Sequence, residues 1–263
     1  MCIRDRASQG NPDENPADPE AGAFANKVLE YNPAPSQYMN TSYTAYEEGF
    51  TGIQVLARAT ELLQDRTTCL FTLGGFGGNI TVGFDHTIPN VPGEYDFKIY
   101  GNAYYDMYGT LLDKPGGNSE PGIVLVSKDT NGNGLPDDEW YELAGSEYNS
   151  PATIRNYEIT YYRPTPADGD VKWKDNQGKE GYIYRNTYHT QGSYYPAWMP
   201  AEITFRGSRL ADNSINEPRP GMPEHWVGYC YAWGYADNHP NNTEYSQFKI
   251  KTESRFIWTA STS

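Results

Sequence analysis

The sequence lacks the features that mark several common classes of protein. It has only 3 cysteines among 263 residues, so it carries no disulfide framework of the kind that holds small secreted domains together. No run of 18 apolar residues occurs, which excludes a membrane-spanning helix. Lysine and arginine number 20 against 34 aspartates and glutamates, a net charge of −14. That balance argues against binding to nucleic acid or to an anionic membrane surface.

Motifs of the common catalytic and nucleotide-binding sites are also missing. The 4 histidines never occur at a zinc-ligand spacing, and there is no Gly-x-Ser-x-Gly nucleophile motif. Residues 73–78, Leu-Gly-Gly-Phe-Gly-Gly, do not match a dinucleotide loop, whose third glycine would fall at Ile80. A tight turn is the favoured interpretation of that stretch. Asp85 and His86 could form an acid/base or metal pair, but a structural role for His86 is favoured. We therefore expect no enzymatic activity.

The most specific motif present is a candidate calcium loop. Residues 129–139 read Asp-Thr-Asn-Gly-Asn-Gly-Leu-Pro-Asp-Asp-Glu. Oxygen-bearing side chains fall at loop positions 1, 3, 5 and 9, a glycine falls at position 6, and position 7 would contribute its backbone carbonyl. Calcium is a hard cation that takes six to eight oxygen ligands, so one short loop of this kind can surround it. The predicted metal ligands are Asp129, Asn131, Asn133, Leu135 and Asp137.

The flanks of this loop predict strands rather than helices. The EF-hand pattern requires glutamate at position 12, where this chain has Trp140. Residues 122–127 and 139–143 are rich in β-branched and aromatic side chains, which predicts a β-hairpin around the loop. A metal-free turn rich in asparagine and glycine is the alternative.

Composition and patterning predict an all-β protein, a jelly-roll-like two-sheet β-sandwich with a calcium-binding hairpin loop. Tyrosine (23), glycine (26) and proline (19) are abundant, as in a protein of short strands and tight turns. One short N-terminal helix is predicted over residues 52–65, with a capping-box pair at Thr51 and Gln54. Its apolar positions at helical spacing are Ile53, Leu56, Thr60 and Leu63. The predicted strands are residues 27–31, 69–73, 80–84, 95–100, 122–128, 139–144, 157–162, 171–174, 181–185, 202–205 and 227–235.

The chain is expected to contain one folded domain between two unusual ends. Residues 1–6 fit nothing after them and resemble an assembly remnant, and residues 7–22 are polar and proline-rich. We therefore expect a remnant and a disordered tether over 1–22. A single ligand-binding β-sandwich follows over 23–251. Residues 252–263 do not resemble a closing strand, and we expect a truncated or aberrant end there.

The richest candidate surface for a small molecule is the aromatic stretch 182–198. Tyrosine and tryptophan rings stack on sugars or flat cofactors, while amide and guanidinium groups orient a ligand through hydrogen bonds. Ordinary core packing of the same aromatics is the alternative. The predicted ligand-binding residues are Arg185, Asn186, Gln191, Tyr194, Tyr195 and Trp198.

Several segments resemble one family of bacterial surface lipoproteins. The segments are residues 27–35, 73–78, 82–86, 95–102, 119–124 and 133–143. They are similar to the cell surface protein lipoproteins of gut Bacteroidetes, a group that includes vitamin B12-binding proteins encoded beside cobalamin transporters. The resemblance covers about residues 24–251, and the chain departs from the family pattern after Lys251.

The resemblance implies a function and a location. It implies a lipid-anchored protein on the extracellular face of the outer membrane. Its expected role is to capture cobalamin without catalysis and to work beside an outer-membrane TonB-dependent transporter. A calcium-stabilised glycan-binding module that uses the same aromatics is the first alternative, and a hydrolase or an adhesin for a protein partner is the second. Nucleic acid is not an expected partner.

Overall fold

The protein is described here by a computed structural model that covers residues 2–5, 24–64, 70–88, 96–106, 115–187 and 189–241. The predicted end segment 252–263 and the predicted tether over residues 7–22 lie outside these residues. Within the described ranges, no helix has the length and apolar character needed to cross a membrane.

The described residues form an all-β protein with a single α-helix among them, as the sequence predicted. The helix α1 spans Gly52–Gln64. The strands are β1 (Cys2–Asp5), β2 (Lys27–Asn32), β3 (Asn79–Gly83), β4 (Phe97–Tyr100), β5 (Tyr104–Tyr105), β6 (Gly116–Asn118), β7 (Leu125–Ser127), β8 (Trp140–Glu142), β9 (Ile154–Tyr162), β10 (Val171–Asp175), β11 (Glu180–Ile183), β12 (Glu202–Arg209), β13 (Ser214–Asn216) and β14 (Trp226–Tyr229).

The folded region consists of two compact units that are interleaved in sequence. The first unit takes the described residues of Met1–Ala25, Phe84–Ala152 and Leu210–Ser263. The second unit takes those of Asn26–Gly83 and Thr153–Arg209. The region that the sequence predicted as one ligand-binding domain over 23–251 therefore contains both units.

The second unit is built on a four-stranded antiparallel sheet in the order β11-β10-β9-β12. Buried and more exposed residues alternate along its strands, because successive side chains of a strand point to opposite faces. Tyr157, Ile159 and Tyr161 of β9 point inward and are buried, while the residues between them are more exposed. The core of this unit consists of Ala34, Tyr157, Ile159, Tyr161, Val171, Tyr194, Tyr195, Ile203 and Phe205.

A second layer covers the inner face of that sheet. Strands β2 and β3 pair antiparallel, and the glycine-rich turn at residues 73–78 leads into β3. Phe76 of this turn packs edge-on against Tyr157, with ring centroids 4.8 Å apart. Gly77 has a φ of +88°, and a Cβ atom there would lie 2.1 Å from the Cβ of Phe205. The turn therefore needs glycine for its backbone conformation and for close packing on the sheet.

The helix predicted over residues 52–65 is confirmed over Gly52–Gln64, but the face that it buries is not the predicted one. The backbone N–H of Thr51 donates to the Oε1 of Gln54 at 2.9 Å, so the predicted pair does cap the helix. The prediction that Ile53 lies on the buried face is wrong, because its side chain is 82% exposed. The buried stripe is Val55, Ala59 and Leu63, spaced four residues apart.

The first unit contains a four-stranded sheet in the order β13-β14-β6-β5 and two two-stranded sheets. One of these is the β7–β8 hairpin, which confirms the predicted strands on either side of residues 129–139. The other pairs β1 with β4, with Cys2 opposite Tyr100. Residues 2–5 therefore belong to a sheet, although their sequence offered no reason to include them. The buried core cluster of this unit consists of Ile99, Val124, Leu143 and Ala236.

Two predicted strands differ from the structure for a visible reason. The strand predicted over 227–235 ends at Tyr229. Beyond it, the buried amide of Asn238 accepts from the N–H of Tyr231 at 2.8 Å and donates to its carbonyl at 2.9 Å. This side chain satisfies backbone groups that a neighbouring strand would otherwise pair. Residues 70–73 were predicted as part of a strand but do not form one. Their backbone groups form single hydrogen bonds with separate segments instead of a ladder with one strand. Thr72 N–H donates to Tyr43 O, and Leu73 O accepts from Ala34 N–H.

Candidate functional site

The predicted calcium ligands all lie in the exposed loop between β7 and β8. The Asp129 carboxylate organises the loop by accepting three backbone N–H groups, from Gly132 (2.7 Å), Asn133 (3.1 Å) and Gly134 (2.8 Å). The Asn131 side chain accepts from the N–H of Asn133 at 2.9 Å. These bonds wind the loop tightly between its two strands.

The side-chain amides of Asn131 and Asn133 also connect with Asp137, near the end of the same loop. The Asn131 and Asn133 amides donate to the two Asp137 oxygens at 3.2 and 3.0 Å. The bond from Asn133, followed by that from Asn131, holds the pKa of the Asp137 carboxyl below its usual value. The amides thus face Asp137 with their nitrogens, while their oxygens accept the backbone N–H groups of Asn133 and Leu135.

No group of three His, Cys, Asp or Glu side chains suited to a metal ion occurs within the described ranges. Of the predicted ligands in the β7–β8 loop, two are carboxylates, Asp129 and Asp137, and the others are amide and backbone oxygens. A cation in this loop would compete with the asparagine amides for the Asp137 oxygens.

The predicted ligand-binding residues Tyr194 and Tyr195 belong to the hydrophobic core of the second unit. Their side chains are 1% and 0% exposed. The Tyr194 hydroxyl donates to His189 O at 2.7 Å, and the Tyr195 hydroxyl donates to Pro200 O at 2.6 Å. With both faces packed, neither ring is open to a ligand. The core-packing alternative therefore describes these two residues.

Arg185, Asn186 and Gln191 hold the aromatic stretch in place. Arg185 donates through Nη1 to the carbonyl of Asp168 at 2.5 Å. The Asn186 amide donates to Gln37 Oε1 at 3.0 Å and accepts from the N–H of His189 at 2.7 Å. The Gln191 amide, oriented to satisfy both neighbours, donates to His189 O at 3.1 Å and accepts from a backbone N–H at 2.5 Å. All three side chains bond other parts of the second unit.

Trp198 keeps part of its surface open. Its ring stacks on Tyr46, with centroids 5.3 Å apart and an interplanar angle of 20°. Tyr46 in turn contacts Phe50 edge-on at 6.4 Å. All three side chains are half-buried. They form a short row of aromatic rings beside the start of helix α1.

This aromatic row adjoins a groove along helix α1. The groove is shallow and open, and its lining is mostly polar, with Phe50 and Ala57 as its apolar part. Its lining residues are Glu47, Phe50, Gln54, Ala57, Arg58 and Glu61. Arg58 donates to Glu61 at 2.8 Å, so the polar side of the groove carries an ordered ion pair. We refer to Trp198, Tyr46, Phe50 and these lining residues as the α1 groove.

The residue that positions Trp198 was not predicted from the sequence. The Asn40 amide donates to the carbonyls of Tyr195 (2.9 Å) and Ser193 (3.3 Å), and its oxygen accepts from the N–H of Ala197 (2.7 Å). Asn40 has a φ of +58°, a conformation that asparagine tolerates better than most residues. Tyr38 has a φ of +66° as well. A cluster of polar residues after Pro35 was the only signal for this loop.

Asp85 and His86 do form a pair at the end of β3. The Nδ1 atom of His86 lies 2.5 Å from Oδ1 of Asp85, and the imidazole contacts Phe84 edge-on at 6.0 Å. An aspartate that bonds one ring nitrogen orients the imidazole. The structural role of His86 that was favoured from the sequence stays a prediction.

Comparisons with known proteins leave the family open. No family model matches the chain, and no curated protein is significantly similar to it. The resemblance to Bacteroidetes surface lipoproteins therefore stays a prediction from the quoted segments. The all-β fold class, which composition and patterning predicted, is confirmed by the structure and does not identify the family.

Proposed function

We propose that this protein is a non-catalytic binding protein that captures cobalamin, and that the α1 groove is its ligand site. Three half-buried aromatic rings in a row adjoin a groove with polar walls, and this observation carries the proposal. The flat corrin ring of cobalamin can stack on such rings. Its peripheral amides can bond the charged and amide groups of the groove.

The site is held in place before any ligand arrives. The three side-chain bonds of Asn40 connect residue 40 with residues 193–197, next to Trp198. A preorganised site loses less conformational entropy on binding, so more of its contact energy appears as affinity. Arg185, Asn186 and Gln191 contribute to the site by supporting this stretch of chain. Tyr194 and Tyr195 contribute by packing beneath it.

Calorimetry with cyanocobalamin tests the proposal. Loss of one stacked aromatic should cost about 1–3 kcal/mol of binding free energy, which is about 5- to 150-fold in Kd. Trp198→Ala should show this loss, and Trp198→Phe should retain part of the affinity. Trp233→Ala is the matched control, because Trp233 is an exposed tryptophan of the first unit. Absence of binding heat with the wild-type protein at high micromolar concentration would remove the cobalamin proposal.

The groove also predicts how binding depends on the cobalt ligand. None of the described residues that line it is a histidine, so the protein need not replace an axial ligand of the metal. Cyanocobalamin and methylcobalamin should therefore bind with similar affinity. A large preference between them would contradict binding through the corrin face and its amides.

We further propose that the protein acts on the extracellular face of the outer membrane as a lipid-anchored partner of a TonB-dependent transporter. The resemblance of residues 24–251 to surface lipoproteins supports this location. Protease treatment of intact cells that express the full-length protein tests it. Protection from the protease in intact cells, with cleavage after lysis, would contradict the location.

Calcium is the proposed structural cofactor, held by Asp129, Asn131, Asn133, the backbone carbonyl of Leu135, and Asp137. Only two of these ligands carry charge, so the expected Kd is about 10⁻⁴–10⁻³ M, as in extracellular modules. Because the ion binds the folded state, it should raise the melting temperature by mass action.

A thermal melt with and without a chelator tests the calcium proposal. The melting temperature should fall in the chelator and recover with excess calcium, and Asp129→Ala should abolish this response. Asp138→Asn is the control, because Asp138 bonds the Thr130 side chain within the same loop. Identical melts in chelator and in millimolar calcium would show that the loop is a metal-free turn.

A further inference from the structure

The outer face of the four-stranded sheet in the second unit has its own pattern of side chains. The strand register places Tyr182 opposite Lys172, Lys172 opposite Tyr162, and Tyr162 opposite Glu202. These four residues form a row across all four strands, on the face away from the buried core. We refer to the outward residues of β9, β10, β11 and β12, together with Tyr184, as the outer sheet face.

Two neighbouring tyrosines at the edge of this face are open to solvent. Tyr182 is 48% exposed and Tyr184 is 70% exposed. Their ring centroids lie 6.0 Å apart with an interplanar angle of 38°. Ile183 between them packs toward the core, so the alternation of the chain directs both tyrosines outward. Two adjacent exposed rings offer a larger surface for stacking a ligand than a single exposed tyrosine does.

The remaining strand positions of the outer sheet face are polar and their charges nearly balance. Four positive and three negative side chains occupy it: Lys172, Lys174, Arg206, Arg155, Glu158, Glu180 and Glu202. Lys172 and Lys174 lie 3.2 and 3.6 Å from Glu180, and Arg206 lies 2.5 Å from Glu158. These pairs hold the charged groups in place, yet most of them stay open to solvent.

Hydroxyl groups complete the face. The side chains of Thr160 and Thr204 lie opposite each other on β9 and β12, with their oxygens 2.8 Å apart. The face thus presents donors and acceptors side by side over its whole width. Tyr182 and Tyr162 are two strand spacings apart, which is about 10 Å.

We propose that the outer sheet face binds a neutral glycan chain. The C–H faces of sugar rings stack on tyrosine, and sugar hydroxyls both donate and accept hydrogen bonds, as the lysines, glutamates and threonines here require. The nearly balanced charge of the face selects a neutral chain, because an acidic polymer would meet three glutamates within a protein of net charge −14. This surface shares no residue with the α1 groove and does not rest on the cobalamin proposal.

Affinity electrophoresis in native gels tests the proposal directly. The full chain is run through gels that contain a soluble glucan, galactomannan or arabinoxylan, with polygalacturonate as the acidic comparison. At least one neutral polysaccharide should retard the protein, and polygalacturonate should not. The double variant with Tyr182→Ala and Tyr184→Ala should lose about tenfold or more in affinity, as expected for lost stacking. Tyr43→Ala, at an exposed tyrosine elsewhere in the second unit, should be unchanged.

The outcomes separate this inference from the cobalamin proposal. The double tyrosine variant should bind cyanocobalamin as the wild type does, and Trp198→Ala should keep its glycan affinity. Absence of retardation by every neutral polysaccharide would overturn the inference. Equal retardation by polygalacturonate would overturn the charge argument, and full affinity in the double variant would overturn the site. Retardation lost only on Trp198→Ala would assign the glycan to the α1 groove instead.

Discussion

Asn40 holds together two segments of the second unit that are far apart in sequence, and this makes its replacement the sharpest test of the structure. Its amide bonds three backbone groups at Ser193, Tyr195 and Ala197, across separations of 153 to 157 residues. Its own φ is +58°, a region that alanine adopts only at a cost. Asn40→Ala removes the hydrogen bonds and also introduces backbone strain.

The expected loss follows from these contacts. A typical intramolecular hydrogen bond contributes about 1 kcal/mol to stability, so three bonds contribute about 3 kcal/mol. Left-handed backbone costs alanine about 1–2 kcal/mol. We therefore expect Asn40→Ala to lower the free energy of unfolding by about 4–5 kcal/mol. Asn40→Gly loses the same bonds and escapes the strain, but it gives up about 0.5–1 kcal/mol to chain entropy. The Asn40→Gly variant should thus have a free energy of unfolding about 0.5–1 kcal/mol higher than that of Asn40→Ala.

Urea unfolding monitored by tryptophan fluorescence measures both variants. The same proteins should bind cyanocobalamin more weakly, because the chain next to Trp198 is no longer held in place. A loss below about 1 kcal/mol in both variants would show that Asn40 does not hold these segments together. A glycine variant less stable than the alanine variant would refute the reasoning about the backbone at this position.

Two other substitutions have clear expectations. Gly77→Ala should cost more than about 2 kcal/mol, because a Cβ there would lie 2.1 Å from the Cβ of Phe205 on a backbone with a φ of +88°. Gly178→Ala is its control, with a φ of +78° but open space around it, and should cost about 1 kcal/mol in the same urea titration. Burial raises the pKa of Tyr195 to about 12, an effect that Arg163 partly offsets. Because the folded pKa exceeds the unfolded value of about 10, stability from this residue is complete below about pH 10 and is lost as the pH rises toward 12. Tyr195→Phe should therefore cost about 1 kcal/mol near pH 8 through its lost hydrogen bond, and it should reduce the alkaline decline. An unchanged slope of stability above pH 10 would contradict the pKa assignment.

The β7–β8 hairpin illustrates how much local sequence can predict. Residues 129–139 contain their own turn formers, and their side chains bond backbone groups only a few positions away. Helix α1 was equally accessible, since the bond between Thr51 and Gln54 spans three residues. Both features depend on contacts within one short segment, so composition and spacing were sufficient.

The aromatic stretch 182–198 illustrates what local sequence could not predict. Sequence patterns do not distinguish Tyr194 from Trp198, because both are large aromatic residues within a polar loop. The structure buries the first in the core and leaves the second half-open beside Tyr46. Which ring is covered depends on residues 34–46, more than a hundred positions earlier in the chain. No sequence periodicity within residues 182–198 predicts which ring is covered.

By itself, the sequence determined the all-β class, the helix, the hairpin around residues 129–139 and most of the strands, because these follow from alternation, capping and turn chemistry at short range. Only the tertiary structure decided that the chain forms two interleaved units. It also decided that Val55 rather than Ile53 faces the core, and that Tyr182 and Tyr184 remain exposed while Tyr194 and Tyr195 do not. Those outcomes depend on which distant segments pack together. Such packing is set by the burial of the whole chain at once and not by any single stretch of it.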